Sequence, residues 1–304
     1  MGQSWKLRLP CTKAEAEQLA GEIDILDDLE SPPVLMTSEP DASRPDEWLL
    51  DAYVDAKPDD ALVARIKALV PSATDAKPQI EALEDEDWVT LSQAGLEPIT
   101  EGRFHVHTAS HAAAPPPGGV SFLINAGRAF GTGQHATTAG CLNMIDRLAS
   151  SGHHFRNMID IGTGTGVLAF AALTAFGSRM LATDIDPVSI DVARENAEMN
   201  GVPVGIGPGN VEFLVADGLN ERRLKARAPY DLIIANILAG PLIDMAADIA
   251  EATRPGGTII LAGLLDQQAQ AVCAAYARHK CRLIERLERS EWPTLRLRKS
   301  SADL

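Results

Sequence analysis

From Ala136 onward, short apolar runs alternate with segments whose apolar residues recur every three or four positions. The runs Met158–Ile161, Met180–Asp184, Val211–Ala216, Asp231–Asn236 and Thr258–Gly263 predict buried strands. Stretches such as Pro187–Met199 and Pro241–Thr253 predict the helices between them. Such alternation builds a parallel, doubly wound α/β sheet. Two further strand candidates, Arg282–Arg289 and Thr294–Arg298, are separated only by Ser290–Pro293. A link that short cannot carry a crossover helix, so this closing pair must be antiparallel.

The first third has a different rhythm. Trp5–Leu9 reads as a strand, and Thr12 with Glu15 three residues on forms a capping box for a helix running through Leu19, Ile23 and Leu26. Val34–Thr37 and Trp48–Val54 predict two more strands. A second helix starts at Pro58-Asp59-Asp60, places Leu62, Ile66 and Leu69 on one face, and stops at Pro71. Gln79–Leu83 supplies a last strand, completing the β-α-β-β-α-β order of a ferredoxin-like α+β domain. The polar stretch 84–99 reads as a connector with a short helix, and Arg103–Thr108 and Val120–Asn125 as paired strands. The expected organisation is therefore a domain over 1–84, a linker over 85–99 and a larger domain over 100–304.

A length of 304 residues is about two domains' worth, and 45% hydrophobic with 23% charged residues is ordinary for a globular protein. No apolar run approaches the ~20 residues needed to span a bilayer, and the N-terminus lacks a secretion-signal pattern, so a cytoplasmic location is expected. The four cysteines have no Cys-x-x-Cys pair, which argues for reduced, buried thiols and against a zinc site. The pairs His105/His107 and His153/His154 read as packing or surface residues, so no metal is expected. The net charge of −15 sits almost wholly in residues 1–100, which hold 22 Asp/Glu against 8 Lys/Arg. A nucleic-acid binder concentrates cations, so no direct nucleic-acid partner is expected. Two readings of the acidic third stay open: it keeps the chain soluble, or it attracts a basic partner.

Chemistry concentrates at the strand ends. Asp160-Ile161-Gly162-Thr163-Gly164-Thr165-Gly166 follows a strand and opens a helix, a place where glycines bring backbone N–H groups close to a ligand. Asp184 ends the next strand, where a carboxylate can accept both hydroxyls of a ribose. The spacing Gly-x-Gly-x-Gly differs from the dehydrogenase Gly-x-Gly-x-x-Gly and is similar to S-adenosylmethionine-binding loops. Asp186 before Pro187 reads as a helix N-cap. Asp217 before Gly218 is either a turn residue or, as the likeness to S-adenosylmethionine-binding chains implies, a carboxylate near an adenine amino group. Asn236 either caps the helix near Pro241 or faces the reacting end of a ligand, where its amide oxygen accepts from an amine.

The most specific segment is Ala129-Phe130-Gly131-Thr132-Gly133-Gln134-His135-Ala136-Thr137-Thr138. Taken with the glycine loop and Asn236-Ile237-Leu238-Ala239-Gly240-Pro241-Leu242, it resembles the PrmA family, methyltransferases of large-subunit ribosomal protein eleven. The resemblance takes in Gly95–Ile99 with Gly102–Phe104, Ala193–Ala197 with Asn200-Gly201, Pro255–Gly257, Gly263–Leu265 and Glu291-Trp292. It covers roughly residues 95–292, while the first third matches only in its β-α-β-β-α-β plan.

What the resemblance implies is a class I methyltransferase: a Rossmann-like seven-stranded sheet with an antiparallel last strand, beside a small domain that holds the substrate protein. It implies S-adenosyl-L-methionine as cofactor, with contacts carried over to Thr138, Gly162, Asp184 and Asn236. Gly164 belongs to the same glycine loop, and Asp217 to the adenine end. Phe130, Gly131, Gly133, His135 and Thr137 belong to a loop that resembles the family's cofactor cover. Asn236 is the residue expected to orient the amine, and a basic ribosomal protein is the expected partner. Departures are Thr163 and Thr165 where the family often has Cys and Ser, Gln134 in the cover, and an insertion at Gly201–Asn210. A lysine methyltransferase of another protein and a non-catalytic binding module of the same fold remain the rival readings.

Overall fold

A computed structural model of the chain describes residues 5–19, 26, 33–40, 44, 46–54, 56–82, 98–109, 115–124, 135–289 and 291–301. The chain divides into two compact units, Met1–Leu91 and Ser92–Leu304.

In the first unit the strands β1 (Trp5–Thr12), β2 (Val34–Ser38), β3 (Glu47–Val54) and β4 (Gln79–Ala82) form one sheet in the order β2-β3-β1-β4. Every pairing in it is antiparallel. The helices α1 (Lys13–Leu19) and α2 (Asp60–Leu69) complete the expected β-α-β-β-α-β order. Alternation along β1 buries Leu7, Leu9 and Cys11, which meet Leu50 and Ala52 of β3 and Ile66 of α2 in one core. Among the described residues α1 ends at Leu19, so the expected continuation through Ile23 lies outside them, and Leu26 is buried in a single 3₁₀ position. Asp59 caps α2 by accepting from Leu62 N at 2.8 Å. The opposite face of β1 carries Arg8, whose guanidinium forks onto Asp51 at 2.7 and 2.8 Å.

The capping box forms as expected. Thr12 N and Oγ1 donate to Glu15 Oε2 at 2.8 and 2.9 Å, and Glu15 N donates back to Thr12 Oγ1 at 3.3 Å. Ser72, from the 3₁₀ turn after α2, adds donations from its N and Oγ to the same carboxylate. Desolvation pushes the Glu15 carboxyl up, but the donors from Ser72 and Thr12 outweigh it and hold it at about 2.

The second unit opens with a three-stranded sheet, β5 (Ile99–Glu101), β6 (Phe104–His107) and β7 (Val120–Leu123). The expected strand pair is β6 and β7, which run parallel, and Ile99 at the end of the assigned connector begins β5. Residues 84–97 of that connector lie outside the described residues. Then follow α3 (His135–Ser150), β8 (Asn157–Ile161), α4 (Val167–Phe176), β9 (Arg179–Asp184), α5 (Pro187–Met199), β10 (Val211–Val215) and α6 (Arg222–Arg227). The chain closes with β11 (Tyr230–Asn236), α7 (Ala239–Asp244), α8 (Ala246–Ala252), β12 (Thr253–Ala262), α9 (Asp266–Ala277), β13 (Cys281–Leu287) and β14 (Thr294–Lys299).

The large sheet has the order β10-β9-β8-β11-β12-β14-β13. Its first five strands are parallel, and β14 is antiparallel to both β12 and β13. The central strand β11 is buried on both faces, as a parallel strand between helical layers must be. Leu232 and Ile234 join a core with α3, α4 and α5, while Ile233 and Ala235 join a second core with α6 to α9. Helix α4 is apolar all round, with seven buried residues, because it lies between the sheet and its neighbours. The helix expected over Pro241–Thr253 is in fact two, starting at Ala239 and interrupted at Met245.

Beneath the sheet, buried Asp231 accepts from Arg156 N at 2.8 Å and Asn157 N at 2.9 Å, tying the start of β11 to that of β8. Asn157 donates in turn to Arg227 O at 2.8 Å and Pro229 O at 3.0 Å.

Two stability predictions come from these contacts. Asp231→Ala strands two partly buried N–H groups and should cost about 2 kcal/mol in urea denaturation of the folded chain. Glu15 has a folded-state value below that of an unfolded glutamate near 4.3, so its contribution is full above that pH and fades toward pH 2. Glu15→Gln should therefore destabilise the protein at pH 7, and the gap to wild type should close as denaturation is repeated from pH 5 down to pH 2.

Candidate active site

The cleft lies outside the carboxyl ends of β8, β9, β10 and β11, where ligands gather in open α/β sheets. Its volume is about 680 Å³, and its walls include Gly162, Gly164, Asp184, Asp217, Asn236 and Ile237. Six of the residues singled out from the sequence face one cavity or touch its rim: Gly162, Gly164, Asp184, Asp217 and Asn236 line it, and Thr138 contacts Asn236.

Its floor is the turn after β8. Gly162, Gly164 and Gly166 all have positive φ, at 71°, 52° and 88°, a conformation that side chains disfavour. A Cβ at Gly162 would collide with Ile237 Cγ2, and one at Gly166 would sit 2.5 Å from Phe170 Cζ. The turn is braced by Thr163 N to Thr183 O at 2.8 Å and by Asn196 Nδ2 to Thr165 O at 2.9 Å.

Asp184 is held by two backbone donors. Gly164 N reaches Oδ2 at 2.9 Å and Asp186 N reaches Oδ1 at 3.1 Å, so both oxygens are fixed while their remaining lone pairs stay available to a ligand. Asp186 is the N-cap of α5, accepting from Val188 N at 2.9 Å, as its place before Pro187 led one to expect. Asp217 precedes Gly218, which has positive φ in a turn, as the first of its sequence readings expects, and it is exposed on the cleft wall.

Asn236 ends β11. The N-cap of α7 is Leu238 with no side-chain bond, so Asn236 does not cap that helix. Its Nδ2 donates to Thr138 Oγ1 at 3.5 Å, and its Oδ1 is buried without a partner. An unmet buried acceptor costs about 1–3 kcal/mol, which a ligand's N–H would recover. Of the cover loop, Thr137 is fully buried in the first turn of α3 and Thr138 is half-buried beside it. Phe130, Gly131 and Gly133 lie outside the described residues, as does the side chain of His135.

Sequence reading passed over one titratable residue here. Asp160, the last polar position of β8, is buried, accepts from Thr163 Oγ1 at 2.7 Å, and leaves Oδ1 unpartnered. Burial, with the neighbouring Asp184 charge, pushes its carboxyl up to about 7 against the pull of the Thr163 hydroxyl. The signal was the acidic residue inside an otherwise apolar strand. No group of three or more His, Cys, Asp or Glu suited to a metal ion occurs among the described residues. No helix among them is long and apolar enough to cross a membrane.

The residues fit a nucleoside carrying a charged sulfur group: glycine backbone for close approach, a fixed carboxylate for hydroxyls, and exposed Ile185 and Leu238 for a flat base. Comparison with known proteins points the same way. The family model for ribosomal protein L11 methyltransferase (PrmA) matches residues 4–300. A ribosomal protein L11 methyltransferase of Rhizobium etli is 40% identical over 293 residues, covering 95% of this chain and 97% of its own. One from Agrobacterium fabrum is 39% identical over 298 residues, covering 97% and 99%. A crystal structure of a ribosomal protein L11 methylase from Lactobacillus delbrueckii subsp. bulgaricus superposes with a TM-score of 0.54 at 25% identity, over 65% of this chain and 94% of that one. With a family model and full-length relatives both in agreement with the cleft, the chain belongs to the ribosomal protein L11 methyltransferase (PrmA) family.

Proposed function

We propose that this chain transfers methyl groups from S-adenosylmethionine to amino groups of ribosomal protein L11, lysine side chains and the terminal amine being the target class. In this reading the Met1–Leu91 unit holds the substrate protein and the Ser92–Leu304 unit carries out the transfer. The observation that carries it is the buried, unpartnered Asn236 Oδ1 at a cleft floored by glycine backbone. When bound, the cofactor supplies a methyl carbon made electrophilic by a sulfonium.

The chain's own work is placement. Asp184 would hold the ribose hydroxyls, Gly162 and Gly164 would give backbone room, Asp217 would meet the adenine amino group, and Thr137 and Thr138 would close the site with the preceding loop. Asn236 Oδ1 accepts an N–H of the incoming amine and so points the nitrogen lone pair along the line of attack. Fixing reactants at ~3–3.5 Å in line turns an encounter into a positioned displacement. A lysine is only about 0.04% neutral at pH 7, and partial desolvation in the cleft lowers its pKa and helps it shed the proton. Asn236 is not basic enough to take that proton, which fits an orienting role. The surplus acid of residues 1–100 suits a basic substrate, since opposite potentials speed encounter.

Mass spectrometry of L11 incubated with the purified chain and S-adenosylmethionine tests the reading directly; unchanged mass would remove it. Asn236→Ala should lower kcat about 100-fold while adenosylhomocysteine affinity, read by calorimetry, changes little; Asp184→Ala should do the reverse, losing affinity first. The triple change Glu39→Lys, Asp46→Lys, Asp75→Lys, all at exposed positions, should raise KM for L11 about tenfold at low salt and flatten its salt dependence, with kcat unchanged.

A further inference from the structure

Ile237, the residue after Asn236, is threaded between two glycines at the tips of the strands that flank β11. On the β8 side lies Gly162, where a Cβ would collide with Ile237 Cγ2. On the β12 side lies Gly263, at φ +83°, where a Cβ would fall 2.8 Å from Ile237 N, 2.8 Å from its carbonyl carbon, and closer still to its carbonyl oxygen. The two contacts differ in kind. At Gly162 the obstacle is the side chain of residue 237, which can be trimmed by mutation. At Gly263 it is the backbone itself, which no substitution at 237 can remove.

Ile237 N also donates to Ala262 O at 3.2 Å, extending the β11–β12 pairing, in which Asn236 stands opposite Ala262, by one residue. The chain then leaves the sheet to enter α7 at Ala239. Asn236 is thus the last residue of its strand, held by the hydrogen bond after it and by the glycine beside that bond. Among the described residues its amide makes one hydrogen bond of its own, to Thr138 Oγ1 at 3.5 Å, too long to fix it firmly.

We infer that Gly263 is a positioning residue for methyl transfer: by leaving room for the Ile237 backbone, it sets the place of Asn236 without itself touching the cleft. Gly263 is not among the residues that line the cavity, so its effect reaches the reacting atoms only through Ile237 and Asn236. Ile237 acts as the wedge between this glycine and the cofactor turn at Gly162. The inference rests on the reading of Asn236 as the residue that orients the amine.

A double-mutant cycle separates the two ideas. Gly263→Ala in the full chain should lower kcat about 100-fold, the scale of an ångström-sized misplacement, while adenosylhomocysteine affinity and KM for the cofactor hold within about twofold. In an Asn236→Ala background the same change should cost almost nothing more, because the group it displaces is gone. The Asn236 side-chain amide resonance should shift in Gly263→Ala with adenosylhomocysteine absent, a readout independent of activity. Ile237→Ala should restore Gly162→Ala in part and leave Gly263→Ala unrelieved, following the side-chain and backbone natures of the two contacts. Equal losses from Gly263→Ala in both backgrounds would overturn the inference while leaving the role of Asn236 intact. A full-rate Asn236→Ala enzyme would instead remove the reading on which it rests. Should Gly263→Ala fail to fold, Gly263→Asn takes its place in the cycle: asparagine tolerates positive φ while still placing a Cβ against the Ile237 backbone, and equal losses in both backgrounds would again overturn the inference.

Discussion

The whole site depends on a parting of the chain between β8 and β11. These strands are neighbours in the sheet, yet α4 leaves β8 for one face while α7 leaves β11 for the other. Among the described residues the two helices leave a gap at the carboxyl ends of these strands, and the cleft opens there. The crossovers β8-α4-β9 and β9-α5-β10 move outward along one face, and α6 then brings the chain back beneath the other. Once that winding is fixed, the ends of four strands must converge on a single opening.

The same crowding explains why glycine is used where it is. Ile237 fills the space between the turn after β8 and the turn after β12, so both turns must run without a Cβ. Gly162 thereby serves two masters, since its bare backbone lines the cleft and also leaves room for Ile237. Asp160 shows the cost of this packing. A carboxyl shut beneath the turn, with one oxygen unpartnered and Asp184 nearby, is driven toward its neutral form near pH 7.

Charge is arranged on a coarser scale. The acidic excess belongs almost wholly to residues 1–100, and the remainder of the chain is close to neutral. The acidic side chains that line the cleft, Asp184, Asp186, Asp217 and Asp244, belong to that near-neutral part, so acid surrounds the cleft although the sequence count there is close to balance. A basic substrate and a cationic cofactor both suit such surroundings.

Periodicity alone determined most of the fold: the two strand–helix rhythms, the closing antiparallel pair, and the capping box at Thr12 and Glu15 are local signals with local causes. Motif spacing likewise marked Gly162, Asp184 and Asn236, because a glycine turn and a carboxylate at a strand end are needed wherever this fold meets a nucleotide. The split of the expected 241–253 helix at Met245 had no breaker to announce it. Whether Asn236 capped a helix or faced the cleft was undecidable from its neighbours, and only the departure of α7 from Leu238 settled it. Asp160 and Gly263 stayed hidden for the same reason. Burial of a carboxyl and the clearance of a backbone are properties of residues distant along the chain, Asp160 against Asp184 and Gly263 against Ile237, and those distances exist only after the sheet has formed.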